Sequence, residues 1–200
     1  MAYRSGEQFT ILVVCIGNVC RSPAVEHLLR SALHGDSGVA VHSAGTRALV
    51  GQPAAAPMAR LLGQQGADVA GFTARGITAP MLTGADLVLT ATRELRGDVV
   101  EIVPSVVRRT FTVREFARLA GQVTPSDLDD AAGPDAGTAE RLAALVPLAA
   151  ARRAGIPIEL DEIVDPYLQS DEVYQQSFAQ IVAAVEAIGR VVLEPSPALV

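Results

Sequence analysis

Two residues in this chain have the types and spacing for chemistry on an oxyanion: Cys15 and Arg21, six positions apart in Val14-Cys15-Ile16-Gly17-Asn18-Val19-Cys20-Arg21-Ser22-Pro23. Five intervening residues suffice to wrap a tetrahedral anion so that successive N–H groups face its oxygens. Gly17 offers backbone freedom where such a chain must curl. The planar fork of Arg21 can hold two oxygens at once, which a lysine would not do equivalently. The same positive field favours the thiolate of Cys15, the reactive form of the side chain. Asn18 can fix the loop through side-chain-to-backbone bonds, and Ser22 can donate a hydrogen bond to the thiolate as nucleophile and later as leaving group. An isolated Cys-x5-Arg is equally compatible with an inert cysteine at a strand end. The apolar strand before it and Ser-Pro after it favour the chemical reading.

A thiolate that takes a phosphoryl group from an aryl ester needs a proton donor for the departing oxygen. Asp165 is the best-placed candidate, because Pro166 fixes the backbone beside it and the segment precedes the last helix. In a second step the same carboxylate would act as base on water. Asp86, Asp127, Asp129, Asp130 and Asp161 are weaker candidates, each without a proline neighbour. Cys20 reads either as a small core filler or as a partner that traps oxidised Cys15 in a disulfide. Tyr167 reads as a pocket wall, a modifiable surface tyrosine or a half-buried loop aromatic. The three histidines, His27, His34 and His42, lack a partner signature and are read as non-catalytic. With two cysteines in no C-x2-C pattern, no structural zinc is expected.

The elements that must position these residues follow from periodicity. Phe9–Val14 is a strand buried on both faces. The pattern then predicts a helix with Ser22 as cap and Pro23 at its first position, stopping at Gly35. A second strand, Val39–His42, closes in Ser43-Ala44-Gly45-Thr46. Pro57 opens a helix that ends by Gly66. Asp86–Thr90 is a third strand, Arg93–Val103 a helix, Arg109–Thr112 a fourth strand and Val113–Ala120 a short helix. Gly121–Gly137, rich in Gly, Pro, Asp and Ala, reads as a mobile loop. A helix over Thr138–Ala154 is predicted, with Pro147 kinking it. The last helix runs from about Asp171, with Val173, Phe178, Ile181, Val185 and Ile188 as its inner stripe. Met1–Gln8 and Glu194–Val200 read as loose ends. Strands alternating with helices imply an α/β fold with a parallel sheet, and its site at the carboxyl ends of the strands.

The 200-residue length suits one domain. Net charge is −6, and all 16 basic residues are Arg, so general affinity for nucleic acid or an anionic membrane is not expected. No leader-like segment and no apolar run of about 20 residues is seen. Two closely spaced cysteines make no disulfide framework, and a reducing cytoplasm is the default location.

Together, Val14–Pro23, His42-Ser43-Ala44-Gly45-Thr46 and Asp165-Pro166-Tyr167 resemble the low-molecular-weight protein tyrosine phosphatases over roughly residues 9–118 and 158–190. The resemblance implies a single-domain three-layer sandwich around a four-stranded parallel sheet, flavodoxin-like in arrangement. It also implies a phosphocysteine intermediate and neither metal nor cofactor. Carried over by position, Cys15 is the nucleophile, Arg21 the phosphate clamp and Asp165 the acid and base. Ile16, Gly17, Asn18, Val19, Cys20, Ser22, Leu49 and Tyr167 come to the substrate, with Ile16, Leu49 and Tyr167 walling an aromatic slot. Ser43 supports the loop with Asn18. The implied partner is a tyrosine-phosphorylated protein or another aryl phosphate, with phosphate- or sulfate-like anions as ligands. Two departures stand out. Phe72 occupies a position where many relatives carry a His, and residues 121–157 have no counterpart in the short members. That insertion is open to three readings: a cover for the site, an interface, or no role. The scaffold also serves arsenate reductases. The thioredoxin-coupled kind needs cysteines beyond Cys20 that this chain lacks, which leaves a small-thiol route. A non-catalytic phosphate-binding module would not need Asp165.

Overall fold

The computed structural model describes residues 8–33, 38–153 and 160–193. The expected leader, the stop at Gly35, His34, the end of the 138–154 helix and the tail from Glu194 lie outside or at the edge of these residues. Four strands, β1 (Phe9–Cys15), β2 (Val39–Gly45), β3 (Leu87–Thr90) and β4 (Thr110–Thr112), form one parallel sheet in the order β2-β1-β3-β4. β1 is thus central, with Cys15 opposite Gly45 of β2 at its carboxyl end. The chain turns one way from β1 to β2 and the other way to β3, so the carboxyl end of β1 lies at the switch point where such sheets bind ligands.

Alternation along the strands splits the core into two layers. Ile11, Val13, Leu87, Leu89 and Phe111 face a large core built with α1 (Arg21–Ala32), α2 (Ala56–Gln64), α5 (Val113–Ala120), α7 (Thr138–Ala151) and α8 (Asp171–Leu193). Leu12, Val14 and Val88 face a smaller one closed by Leu82 of α3 (Ala79–Gly84), Val99 of α4 (Arg93–Ile102) and Val106 of the 3-10 turn Pro104–Arg109. By length and composition α8 reaches the apolar content of a membrane-spanning helix, although Gln180, Glu186 and Arg190 break it into short apolar runs. Its stripe of Tyr174, Phe178, Ile181, Val185 and Ile188 is buried against the rest of the protein.

Three expectations need correction. α1 starts at Arg21, with Cys20 at the cap position and no side-chain cap, because the Ser22 hydroxyl is engaged elsewhere. The segment read as a mobile loop contains α6 (Pro125–Ala132), started by a reciprocal capping box between Thr124 and Asp127. α7 is helical on both sides of Pro147 and ends at Ala151, before the expected Ala154. Leu142, Leu145, Val146 and Ala149 bury its inner face in the main core. α7 is therefore part of the sandwich. It borders Phe9 and Asp86 at the amino ends of the strands, on the side of the sheet away from Cys15.

Candidate active site

Cys15 ends β1 and the chain curls from Ile16 to Cys20 before entering α1. Four carbonyls of this loop are turned outward. Those of Cys15, Ile16, Gly17 and Val19 accept hydrogen bonds from the amides of Thr46, Arg47, Leu49 and Ala55 at 2.8–3.0 Å. In a trans peptide the following N–H points the opposite way, so the amides of Ile16, Gly17, Asn18 and Cys20 face the concave side. The Asn18 N–H reaches Cys15 Sγ at 3.3 Å. Arg21 is 3% exposed, and its Nε is buried without a partner among the described residues. A cradle of inward N–H groups with an unsatisfied guanidinium nitrogen suits an anion.

The curl does not depend on Gly17, whose added Cβ would meet only ordinary contacts, the nearest at 3.5 Å. The left-handed residue is Asn18, at φ 55°. The sterically required glycine is Gly45 of the neighbouring strand, where a Cβ would stand 2.4 Å from the Ile16 carbonyl oxygen.

Asn18 is fully buried and explains its own strained backbone. Its Oδ1 accepts the Arg75 N–H at 2.9 Å, which fixes the amide orientation. Nδ2 then donates to Ser43 Oγ at 2.8 Å and to Ser22 Oγ at 2.9 Å. Ser43 donates in turn to Glu26, a buried carboxylate paired with Arg30 at 2.6 Å. A carboxylate can only accept, so every proton in this chain has one direction. With Asn18 donating to it, Ser22 keeps its own hydrogen for Cys15 Sγ, 2.9 Å away. The competing Ala44 carbonyl is 3.5 Å away. The side chains of Asn18, Ser22 and Ser43 thus sit behind the loop, and none of the three is among the residues that line the cavity; Asn18 turns its N–H to the concave side and Ser22 acts on Cys15 Sγ. Glu26, Arg30 and Arg75 were missed; Glu26 and Arg30 carry a helical i,i+4 spacing but no motif links them to Ser43. Phe72 stacks edge-on against His27, with ring centroids 5.8 Å apart. Burial lowers the pKa of His27 and of His42.

The remaining site residues arrive from other elements. A small cavity of about 110 Å³ is lined by Cys15, Ile16, Gly17, Val19, Cys20, Arg21, Arg47, Leu49, Asp165 and Tyr167. Arg47, just past the Ser-Ala-Gly-Thr stretch, is the lining residue that sequence reading overlooked. Asp165 comes from the loop before α8, and its Oδ2 accepts from Arg21 Nη2 at 2.6 Å. Its Oδ1 accepts the Tyr167 N–H at 3.2 Å. Tyr167 and Leu49 form the partly exposed rim. Cys20 touches both the cavity and the main core, where its thiol lies 3.7 Å from the Tyr174 hydroxyl. Burial pushes the Cys20 thiol up to about 11 and the Tyr174 hydroxyl to about 12. Asp161, a weaker acid candidate, is wholly buried between Arg93 and Arg118 and does not reach the cavity. Asp86, Asp127, Asp129 and Asp130 are likewise absent from its walls. Among the described residues no cluster of three potential metal ligands occurs.

Residues 10–146 match the model of the family described as low molecular weight phosphotyrosine protein phosphatase. The chain belongs to that family. EpsP of Ralstonia solanacearum, a probable low molecular weight protein-tyrosine-phosphatase, is 37% identical over 121 residues, which is 60% of this chain and 77% of the relative. Among solved structures, the tyrosine phosphatase AmsI of Erwinia amylovora shares the fold at TM-score 0.66 and 24% identity, covering 97% of this chain and all of AmsI. The YwlE arginine phosphatase of Geobacillus stearothermophilus does so at TM-score 0.63 and 23% identity, covering 91% of each chain. The expected four-stranded parallel α/β fold is therefore borne out.

Proposed function

We propose that this low molecular weight phosphatase hydrolyses aryl phosphate monoesters, phosphotyrosine in proteins above all, through a phosphocysteine on Cys15. One observation carries the reading: Cys15 Sγ lies at the base of a loop of inward N–H groups, with Arg21 and Asp165 paired 2.6 Å apart in the wall of the same cavity. In the first step Sγ attacks phosphorus while the loop amides and Arg21 take the equatorial oxygens, where negative charge is held in the transition state. A phosphoryl oxygen in the fork of Arg21 displaces Asp165 from it; released from the guanidinium, Asp165 takes up a proton from solvent and gives it to the aryl oxygen as the P–O bond breaks. In the second step Asp165 takes a proton from water, water oxygen bonds to phosphorus, and the P–S bond breaks. Ser22 stabilises the thiolate that leaves. The apolar walls Ile16, Leu49 and Tyr167 suit an aromatic ring. Phosphate- and sulfate-like anions are the expected competitive ligands, and the expected place of action is the cytoplasm.

The test is turnover of p-nitrophenyl phosphate and phosphotyrosyl peptides in EDTA, beside phosphoarginine and arsenate with a small thiol. Cys15→Ser should abolish turnover while keeping phosphate binding, and Asp165→Ala should slow aryl phosphate hydrolysis by about 10²–10⁴. Turnover by Cys15→Ser at the original rate would overturn the mechanism. A preference for arsenate or phosphoarginine would overturn the substrate class.

A further inference from the structure

The loop that delivers Asp165 is held in an unusual way. Asp161, four residues earlier, has no exposed surface, yet its side chain is a carboxylate. Arg93 at the start of α4 donates to its Oδ2 at 2.6 Å, and Arg118 of α5 donates to both oxygens at 3.1–3.3 Å. The Asp161 carbonyl accepts from the Thr112 hydroxyl at the end of β4, at 2.7 Å. The next three residues are each tied to a different element. Glu162 accepts from the Arg93 N–H with its side chain, at 3.0 Å, and from Arg114 with its carbonyl, at 2.7 Å. The Ile163 N–H donates to the Ala91 carbonyl just past β3, at 3.0 Å. The Val164 N–H donates to Gln180 of α8, at 3.0 Å. Asp165, by contrast, has a side chain 43% exposed and is held by Arg21 and its own turn.

A buried ion pair is a poor way to add stability, because desolvation offsets most of the attraction. An apolar side chain would fill the same place without that cost. What a charged group with two fixed partners supplies is register. A carboxylate between two guanidinium forks accepts one position, whereas an apolar residue tolerates sliding. Proton transfer to a leaving oxygen demands hydrogen-bond reach, so small displacements of the acid are costly.

We propose that Asp161, clamped by Arg93 and Arg118, is a positioning residue that sets where the Asp165 carboxyl stands over the cysteine. The proposal rests on the reading of Asp165 as general acid. Its effect is confined to the acid-dependent part of the reaction, which distinguishes it from a residue that only holds the protein folded.

The experiment compares kcat/KM for phenyl phosphate, whose leaving group needs a proton, with that for 2,4-dinitrophenyl phosphate, whose leaving group does not. Asp161→Asn, Asp161→Glu and Asp165→Ala are measured in parallel with the inhibition constant of inorganic phosphate. The expected result for Asp161→Asn is a loss of about tenfold or more with phenyl phosphate, under about threefold with the dinitrophenyl ester, and unchanged phosphate inhibition. Asp161→Glu should not restore the rate, since its longer side chain displaces the loop. Equal losses on both esters in Asp161→Asn, beside a selective loss in Asp165→Ala, would overturn the clamp alone. Equal losses in Asp165→Ala would overturn the acid assignment and the clamp with it. If Asp161→Asn does not fold, Arg118→Gln removes one arm, and the same ratio decides by the same criteria.

Discussion

Replacing Asn18 by Asp changes one amide nitrogen for an oxygen and reverses the polarity of the chain behind the nucleophile. Oδ1 still accepts from Arg75, 2.9 Å away, so the loop keeps that anchor. The other oxygen can no longer donate to Ser22 and Ser43, which lie 2.9 and 2.8 Å from the nitrogen it replaces. Both serines must then donate to it or leave it unpaired. Ser43 is already committed to Glu26, so the new carboxylate competes for the Ser22 hydrogen now directed at Cys15 Sγ. A hydrogen bond to a charged group contributes about 1.5–3 kcal/mol. Losing it at the leaving thiolate corresponds to about 10- to 150-fold in rate. The expected result is a fall of that size in kcat for p-nitrophenyl phosphate, with a burst of nitrophenol in stopped flow as phosphocysteine breakdown becomes limiting. Asn18→Gly is the control. It removes the donors but relieves the φ of 55°, so Ser22 keeps its hydrogen and is free to direct it at Sγ. Asn18→Gly should therefore be the more active of the two. Asp at position 18 within about threefold of the unaltered enzyme, or less impaired than Gly, would refute the directional argument.

Gly45→Ala should destabilise the protein by about 1–3 kcal/mol and weaken phosphate inhibition, because its Cβ would stand 2.4 Å from the Ile16 carbonyl oxygen. Thermal unfolding with and without phosphate checks both effects. Iodoacetamide at pH 8 should label Cys15 and leave Cys20 unmodified. With the Cys20 thiol pushed up to about 11, its thiolate fraction there is about 10⁻³ and rises only as pH climbs toward 11. Mass spectrometry of the digest distinguishes the two, and equal labelling would refute the burial argument.

What was legible in the sequence follows from how local each signal is. The strand, the curl and the helix around Cys15 are contiguous, so their chemistry can be read off one stretch. The loop's immediate conformation is less legible. Glycine's freedom suggested Gly17, yet the left-handed position went to Asn18 and the steric demand to Gly45 on the next strand. A close approach between two strands depends on register, which no single-stretch pattern displays. Asn18 tolerates φ > 0 because its side chain donates to Ser22 and Ser43 and accepts from Arg75, and the last two partners are invisible until the chain folds. In the same way Gly121–Gly137 reads as a loop on composition, although Thr124-Pro125-Ser126-Asp127 carries a capping signature that starts a helix.

Asp165 is the instructive case, because its candidacy came from a proline neighbour and its location before the last helix, while its placement comes from neither. The carboxylate stands 2.6 Å from Arg21 because residues 161–164 are hydrogen-bonded to β4, α4, α5, α8 and the end of β3 in succession. Sequence reading ranked Asp161 as a weak competitor for the acid role. Burial removes it from that competition, since a side chain with no exposed surface between two guanidinium groups has no substrate to reach. The same burial connects the two aspartates. α6 and α7 enter between β4 and this loop in the chain, while β4 and α5 themselves hold Asp161 through Thr112 and Arg118. α6 and α7 therefore lie on the path from α5 to Asp161 without setting where that path ends, because the end is fixed by the sheet and α5 and not by the connection.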